Sequence, residues 1–264
     1  MKKKKRGKNI KKRKINYFSF NNGTLILLMG FILFIFNFLY ELIFLSGAQT
    51  GITSYIQLIG FALIYFGLIT HLILIGDKPF LKSWNYIKNS KNFIYAVIGI
   101  FFILAVIGFF LPVPEQLKLE IIKMLNELFE KIQGFTQWQI TQFIFLNNLK
   151  SSFFGMVFGV FLGIFSVISI LVNGYILGFV ASISVQESGF SILWKLFPHG
   201  IFELPAVFIS LGMGLKFGTF IFQKNKKKKF LEFLWNSLRV FVFVITPLLI
   251  IAAMIEGALI VFFG

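Results

Sequence analysis

The chain has 264 residues, 57% of them hydrophobic and 14% charged, with 38 phenylalanines, no cysteine and a formal net charge of +16. A soluble domain carries about a quarter of its residues as charges, so this composition excludes one, and the lack of cysteine removes disulfides, thiolate metal sites, iron–sulfur clusters and cysteine nucleophiles together. Segments approaching or exceeding the roughly 20 apolar residues needed to cross the hydrocarbon layer predict membrane helices; the strands of a membrane barrel would alternate instead.

Residues 1–23 form a basic tail, with ten of the 26 basic side chains between Lys2 and Lys14. No aromatic residue interleaves those lysines, so nothing there would stack bases and no nucleic-acid partner is expected. A solvated arm that fixes orientation, or one that holds anionic lipid, accounts for it. The first span is predicted at 24–45 and the second at 54–75, joined by a basic loop to a third at 93–111. The stretch 114–133, from Pro114 to Gln133, then repeats apolar residues at Leu117, Ile121, Met124, Leu125, Leu128 and Ile132, with Glu120, Lys123, Glu127 and Glu130 opposite. That pattern makes an amphipathic interfacial helix, too polar to cross, and Gly134 is placed to end it.

A fourth span is predicted at 151–172, stopping at the turn pair Asn173–Gly174, followed by a short fifth at 175–185, a sixth at 201–222 and a seventh at 240–263. Lysine and arginine at span ends favour the cytoplasm, so the tail, the loop from Lys78 to Lys91 and the run from Lys224 to Lys229 should share that side. Seven crossings satisfy all three. The expected architecture is an all-α, multi-pass bundle in the plasma membrane, N-terminus cytoplasmic and C-terminus outside, with the amphipathic helix outward. Its modules are a tail at 1–23, a two-helix hairpin with its basic loop at 24–91, and a membrane domain at 92–264.

This topology puts the polar residues of the last four spans at one outer depth: Asn147, Asn148, His199, Glu203 and Glu256. Ionisable residues within a span cost roughly 2.5 to 3.5 kcal/mol on insertion scales and are tolerated where they face a bundle interior or a wet cavity. In a continuous helix His199 and Glu203 lie at i and i+4. Pro205 lacks a donor, however, so the helix could equally begin near Glu203 and leave Pro198, His199 and Gly200 in a loop. The pair could do acid–base work, line an ion pathway or serve as a structural polar cluster. Catalytic zinc needs three protein ligands, and the other histidine, His71, falls at the wrong depth, so no metal or other cofactor is expected. No HExxH, GxSxG or phosphate-cradling loop occurs, and no residue is assigned a catalytic role. Gly155, Gly159 and Gly163, like Gly214 and Gly218, recur at the small-xxx-small spacing that lets helices approach closely within the chain or in a homo-oligomer.

The set FLNNL, a glycine-spaced span, NGYILG at residues 173–178, PHGIFELPA at 198–206 and the closing LLIIAAMIEG resembles the stage II sporulation protein M family over residues 92–264. The resemblance marks Asn147, Asn148, Asn173, Gly174, Gly178, Pro198, His199, Gly200, Glu203 and Glu256 as family positions, none with an established catalytic role. In endospore formers the family member anchors peptidoglycan hydrolases during engulfment. The resemblance therefore implies a non-catalytic scaffold in the cell envelope, with the lipid bilayer as its solvent, and the outward amphipathic helix at 114–133 is the expected site for an extracytoplasmic partner. An intramembrane enzyme using His199 and Glu203, or a small-solute or ion transporter, are the alternatives.

Overall fold

The computed structural model describes residues 24–26, 29, 32, 51–75, 78–111 and 115–263. The basic tail and most of the predicted first span fall outside these residues. Among the described residues the secondary structure is helical, with no strand. The chain divides into two compact units, Met1–Pro79 and Phe80–Gly264. In the first, helix α1 (Gly51–Ile75) contains the predicted second span. It buries Leu72 and His71, whose Nδ1 lies 3.1 Å from the Thr24 hydroxyl.

Helix α2 (Pro79–Lys88) lies in the second unit from Phe80 onward, with Pro79 occupying the first-turn position where its missing N–H costs nothing. Helix α3 (Lys91–Phe110) is apolar almost all round and buries Ile94, Val97, Phe101 and Gly108 along one stripe. Helix α4 (Glu115–Ile132) is the amphipathic element, and Gly134, at φ 78°, follows it in the left-handed conformation that ends helices. Helix α5 (Gln137–Val157) starts at a capping box: Thr136 accepts from the Gln139 amide while the Gln139 side chain accepts from the Thr136 amide. Leu162 and Gly163, at φ 56° and 77°, then turn the chain into α6 (Ile164–Ser188). Helix α7 (Leu193–Gly218) is followed by α8 (Lys226–Val240), a π-turn at Phe241–Ile245 and α9 (Thr246–Phe263). The π-turn immediately precedes Pro247, which cannot donate, and the Phe241 carbonyl accepts both the Thr246 N–H and, at 3.0 Å, the Thr246 hydroxyl.

Five helical segments among the described residues are long and apolar enough to cross a bilayer: Lys91–Phe110, Gln137–Val160, Ile164–Ser188, Gly200–Phe222 and Lys226–Val261. Two sequence expectations are corrected here. The fourth span does not run over 151–172, because the capping box starts α5 fourteen residues earlier and the turn at Leu162–Gly163 ends it. Nor does the chain turn at Asn173–Gly174: both residues, with Gly178, lie inside the 25-residue α6, so the short fifth segment belongs to a helix of full crossing length.

Glycines set the packing. A Cβ on Gly174 would meet the Phe101 carbonyl oxygen at 2.7 Å and one on Gly178 the backbone of Ala105, so α3 and α6 run parallel with their backbones nearly touching. Gly159 faces Gly214 and Gly218 faces Gly163, which brings α5 and its turn against α7 in the same parallel sense. The Ser210 hydroxyl donates to the Ser152 carbonyl, and the Ser166 hydroxyl to the Gly155 carbonyl at 2.7 Å, stitching α7 and α6 onto α5. Such bonds satisfy hydroxyls that lipid could not.

Candidate functional site

The candidate site is built where α5, α7 and α9 pack together. Helix α7 is continuous from Leu193 to Gly218, so Pro198, Gly200 and Pro205 are helical positions and not turns. Its backbone puts positions 199 and 203 one turn apart on one helix, the first of the two geometries the sequence allowed. The His199 and Pro198 side chains lie outside the described residues. Glu203 is therefore ten residues inside α7 and not at a helix N-terminus. Pro205 leaves the Ile201 carbonyl without its helical partner, because the proline has no N–H to give.

Glu203 is half-buried and within electrostatic reach of Glu256, which α9 supplies from its eleventh position. Glu256 Oε2 is buried and has no hydrogen-bond partner among the described residues. The adjacent Gly257 lies against the Thr141 side chain of α5, which fixes the level of this carboxylate. Two carboxylates from different helices are thus near enough to interact inside the bundle.

The asparagines lie deeper. Because α5 begins at Gln137, Asn147 and Asn148 are ten and eleven residues in, about 15 Å down the helix axis. The Ser152–Ser210 contact sets the register, and a rise of about 1.5 Å per residue leaves Asn148 about 5 Å, nearly one turn, beyond Glu203. Asn147 is exposed and Asn148 half-buried. Among the described residues no hydrogen bond joins either asparagine to Glu203 or Glu256. The two asparagines thus lie well inside α5 and not at its mouth. The sequence reading placed the asparagines at a span's mouth because hydropathy, and not the helix cap, defined where the span began.

Among the described residues no three of His, Cys, Asp and Glu come close enough to hold a metal. Beside the carboxylates, toward the α4 end, lies an open groove of about 370 Å³ lined by Thr136, Gln137, Trp138, Thr141 and Met254. The groove carries hydroxyl and amide groups but no ionisable side chain. The chemistry on offer among the described residues is proton or cation exchange at two carboxylates.

A second polar cluster, absent from the sequence reading, occupies the opposite end. Lys216 of α7 donates to the Ser90 hydroxyl at 2.8 Å, and its ammonium lies 4.0 Å from the centroid of the Tyr86 ring and 5.6 Å from that of Phe233. Lys229 pairs with Glu232 at 3.0 Å, and the buried Arg239 donates to Asn236 at 2.7 Å. The signal was present in the sequence, because Lys216 is an ammonium inside a predicted span and such residues warrant a partner search.

Comparison with known proteins bears on residues 97–259, which match the family model described as Stage II sporulation protein M. The chain is also 34% identical over 122 residues to Uncharacterized protein MJ0706 of Methanocaldococcus jannaschii, an alignment covering 44% of this chain and 53% of that protein. The chain thus spans about half the length of this curated relative. No solved structure matches it.

Proposed function

Given that the chain belongs to the stage II sporulation protein M family, we propose that it is a non-catalytic membrane scaffold whose amphipathic α4 recruits an extracytoplasmic partner involved in remodelling the cell envelope. The observation that carries this reading is the exposure of α4's apolar residues. On the apolar face Leu117 and Met124 are exposed while Ile121 between them is buried, so the helix keeps an apolar surface that the bundle does not use. Its polar residues are nearly charge-balanced, four glutamates against three lysines over Glu115–Ile132, which suits a protein partner better than an anionic surface. In this reading the chain crosses seven times, with the 24–91 hairpin preceding the family domain, the tail cytoplasmic and α4 outside.

A photo-crosslinker placed at Leu117 or Met124 in native membranes should capture an extracytoplasmic protein, and Leu117→Ser/Met124→Ser should abolish capture from a probe at Leu125 without lowering abundance. Capture of lipid alone would end the scaffold reading.

The pairing of Glu203 with Glu256 inside the bundle favours one second reading, an ion or small-solute pathway. It requires flux in reconstituted vesicles that Glu203→Gln or Glu256→Gln suppresses. Intact flux in both variants removes it.

A further inference from the structure

The end of the bundle opposite α4 carries a surface that neither the scaffold nor the carboxylate pair uses. Helix α2 buries Ser83 and Tyr86 and leaves Phe80, Leu81 and Trp84 exposed, with Lys88 exposed and its ammonium 5.6 Å from the centroid of the Trp84 ring. Apolar and aromatic side chains beside lysines on a short helix are the pattern of a helix lying in the headgroup region.

Helix α8 supplies charge at the same end. Lys224, Lys226, Lys227 and Lys228 are exposed, while Lys229 is held by Glu232. The helical rod from Lys226 to Val261 has 36 residues, about 54 Å, against roughly 30 Å of hydrocarbon. Its first turns therefore extend past the apolar layer and carry their lysines to headgroup depth.

Lys216 joins the two elements. Its bond to Ser90 and its position between the Tyr86 and Phe233 rings clamp the α2–α3 corner against α7 and α8, and Phe230 packs on Phe217 and Phe220 with ring centroids 5.3 Å apart. The aromatic face of α2 and the lysines of α8 are parts of one packed unit, not independent tails.

We propose that α2 and the start of α8 form a binding surface for anionic phospholipid headgroups, in which Lys224, Lys226, Lys227 and Lys228 meet the phosphates while Phe80, Leu81 and Trp84 enter the acyl boundary. The occupant follows from charge complementarity: no acidic residue lies between Lys216 and Lys229, and apolar insertion suits a lipid and not a free anion. The proposal is independent of what α4 recruits, and of which side of the membrane this end faces.

Native mass spectrometry of the full chain in mild detergent tests it, with phosphatidylglycerol and phosphatidylcholine as probes. Phosphatidylglycerol should be retained preferentially. Lys224→Gln/Lys226→Gln/Lys227→Gln/Lys228→Gln should lower that retention about tenfold or more, whereas Lys118→Gln/Lys123→Gln/Lys131→Gln on α4 should leave it unchanged. The basic tail is common to all three proteins, so the differences report on the helices. Phe80→Ser/Leu81→Ser/Trp84→Ser should likewise weaken retention of phosphatidylglycerol, and inorganic phosphate should not displace the lipid from the parent protein. Equal retention by the α8 variant, equal loss on the α4 substitutions, or displacement of the lipid by inorganic phosphate or a short oligonucleotide at comparable concentration would each overturn the proposal.

Discussion

Gly178→Ala tests the central claim about packing, that glycine holds α3 and α6 at backbone contact. A Cβ at this position would overlap the Ala105 carbonyl oxygen and lie 2.7 Å and 2.9 Å from its carbonyl carbon and Cα, where ordinary contacts begin near 3.4 Å. All three atoms are backbone, so no neighbouring side chain can rotate away and the helices must separate by about 1 Å. A gap of that size forfeits a quarter to a half of each dispersion contact along the crossing. Gly174 and Gly108 lie on the same crossing, one against Phe101 and the other against Tyr175, so the loss spreads over several turns. Overpacking of this kind costs about 3 kcal/mol, or roughly 10 °C in Tm for a chain of this size. Gly99→Ala is the matched control, because its Cβ would meet nothing within 4 Å, and it should lose no stability. Thermal unfolding of the detergent-solubilised protein reads both. A Gly178→Ala protein as stable as its parent, or a Gly99→Ala protein equally damaged, would refute the reasoning.

Three further substitutions probe other parts of the fold. Glu256→Gln should unfold at or above the parent temperature, since it removes a charge that faces Glu203 and has no hydrogen-bond partner at Oε2 among the described residues; a drop of about 2 kcal/mol or more would instead show that the carboxylate holds something. Thr136→Ala should cost about 1 kcal/mol in the same assay by breaking the capping box, and Gln139→Ala should mimic it. Lys216→Met should cost about 1 to 2 kcal/mol through loss of the Ser90 bond and the Tyr86 ring contact, with Lys216→Arg recovering part of it.

Much of the architecture could be read from apolar run length. Helix α3, the amphipathic α4 with its stop at Gly134, the segment ending at Phe222 and the last crossing all fall close to where hydropathy put them. The error at α5 has one cause. Its first half, QWQITQFIFLNN, is polar enough to escape a hydropathy window, although TQWQ at 136–139 carries the Thr-x-x-Gln signature of a helix start. Placing the start at Ser151 forced the end to the next available turn residues, and Asn173–Gly174 supplied them. In a helix packed in lipid that glycine is explained by the neighbouring backbone of Phe101, a contact from a distant part of the chain that no local rule contains. Pro205 misled less, because a long crossing absorbs a proline when tertiary packing compensates the lost bond.

The register of the helix pairs settles where α4 lies without reference to hydropathy. Ile94 of α3 meets Gly212 of α7 and Ser90 meets Lys216, so α3 and α7 are antiparallel and α3 begins where α7 ends. Helices α5 and α7 are parallel, so α5 begins where α7 begins, at the end α3 has just reached. The segment between them therefore starts and finishes at one end of the bundle, and α4 cannot cross. The lysine run that opens α8 follows the far end of α7, so it occupies the opposite end from α4. An apolar face suited to a protein and a basic face suited to lipid phosphate are thus separated by the full length of the bundle. Substitutions at one should leave binding at the other unchanged, and the two crosslinking and retention experiments can be run on the same set of variants as each other's control.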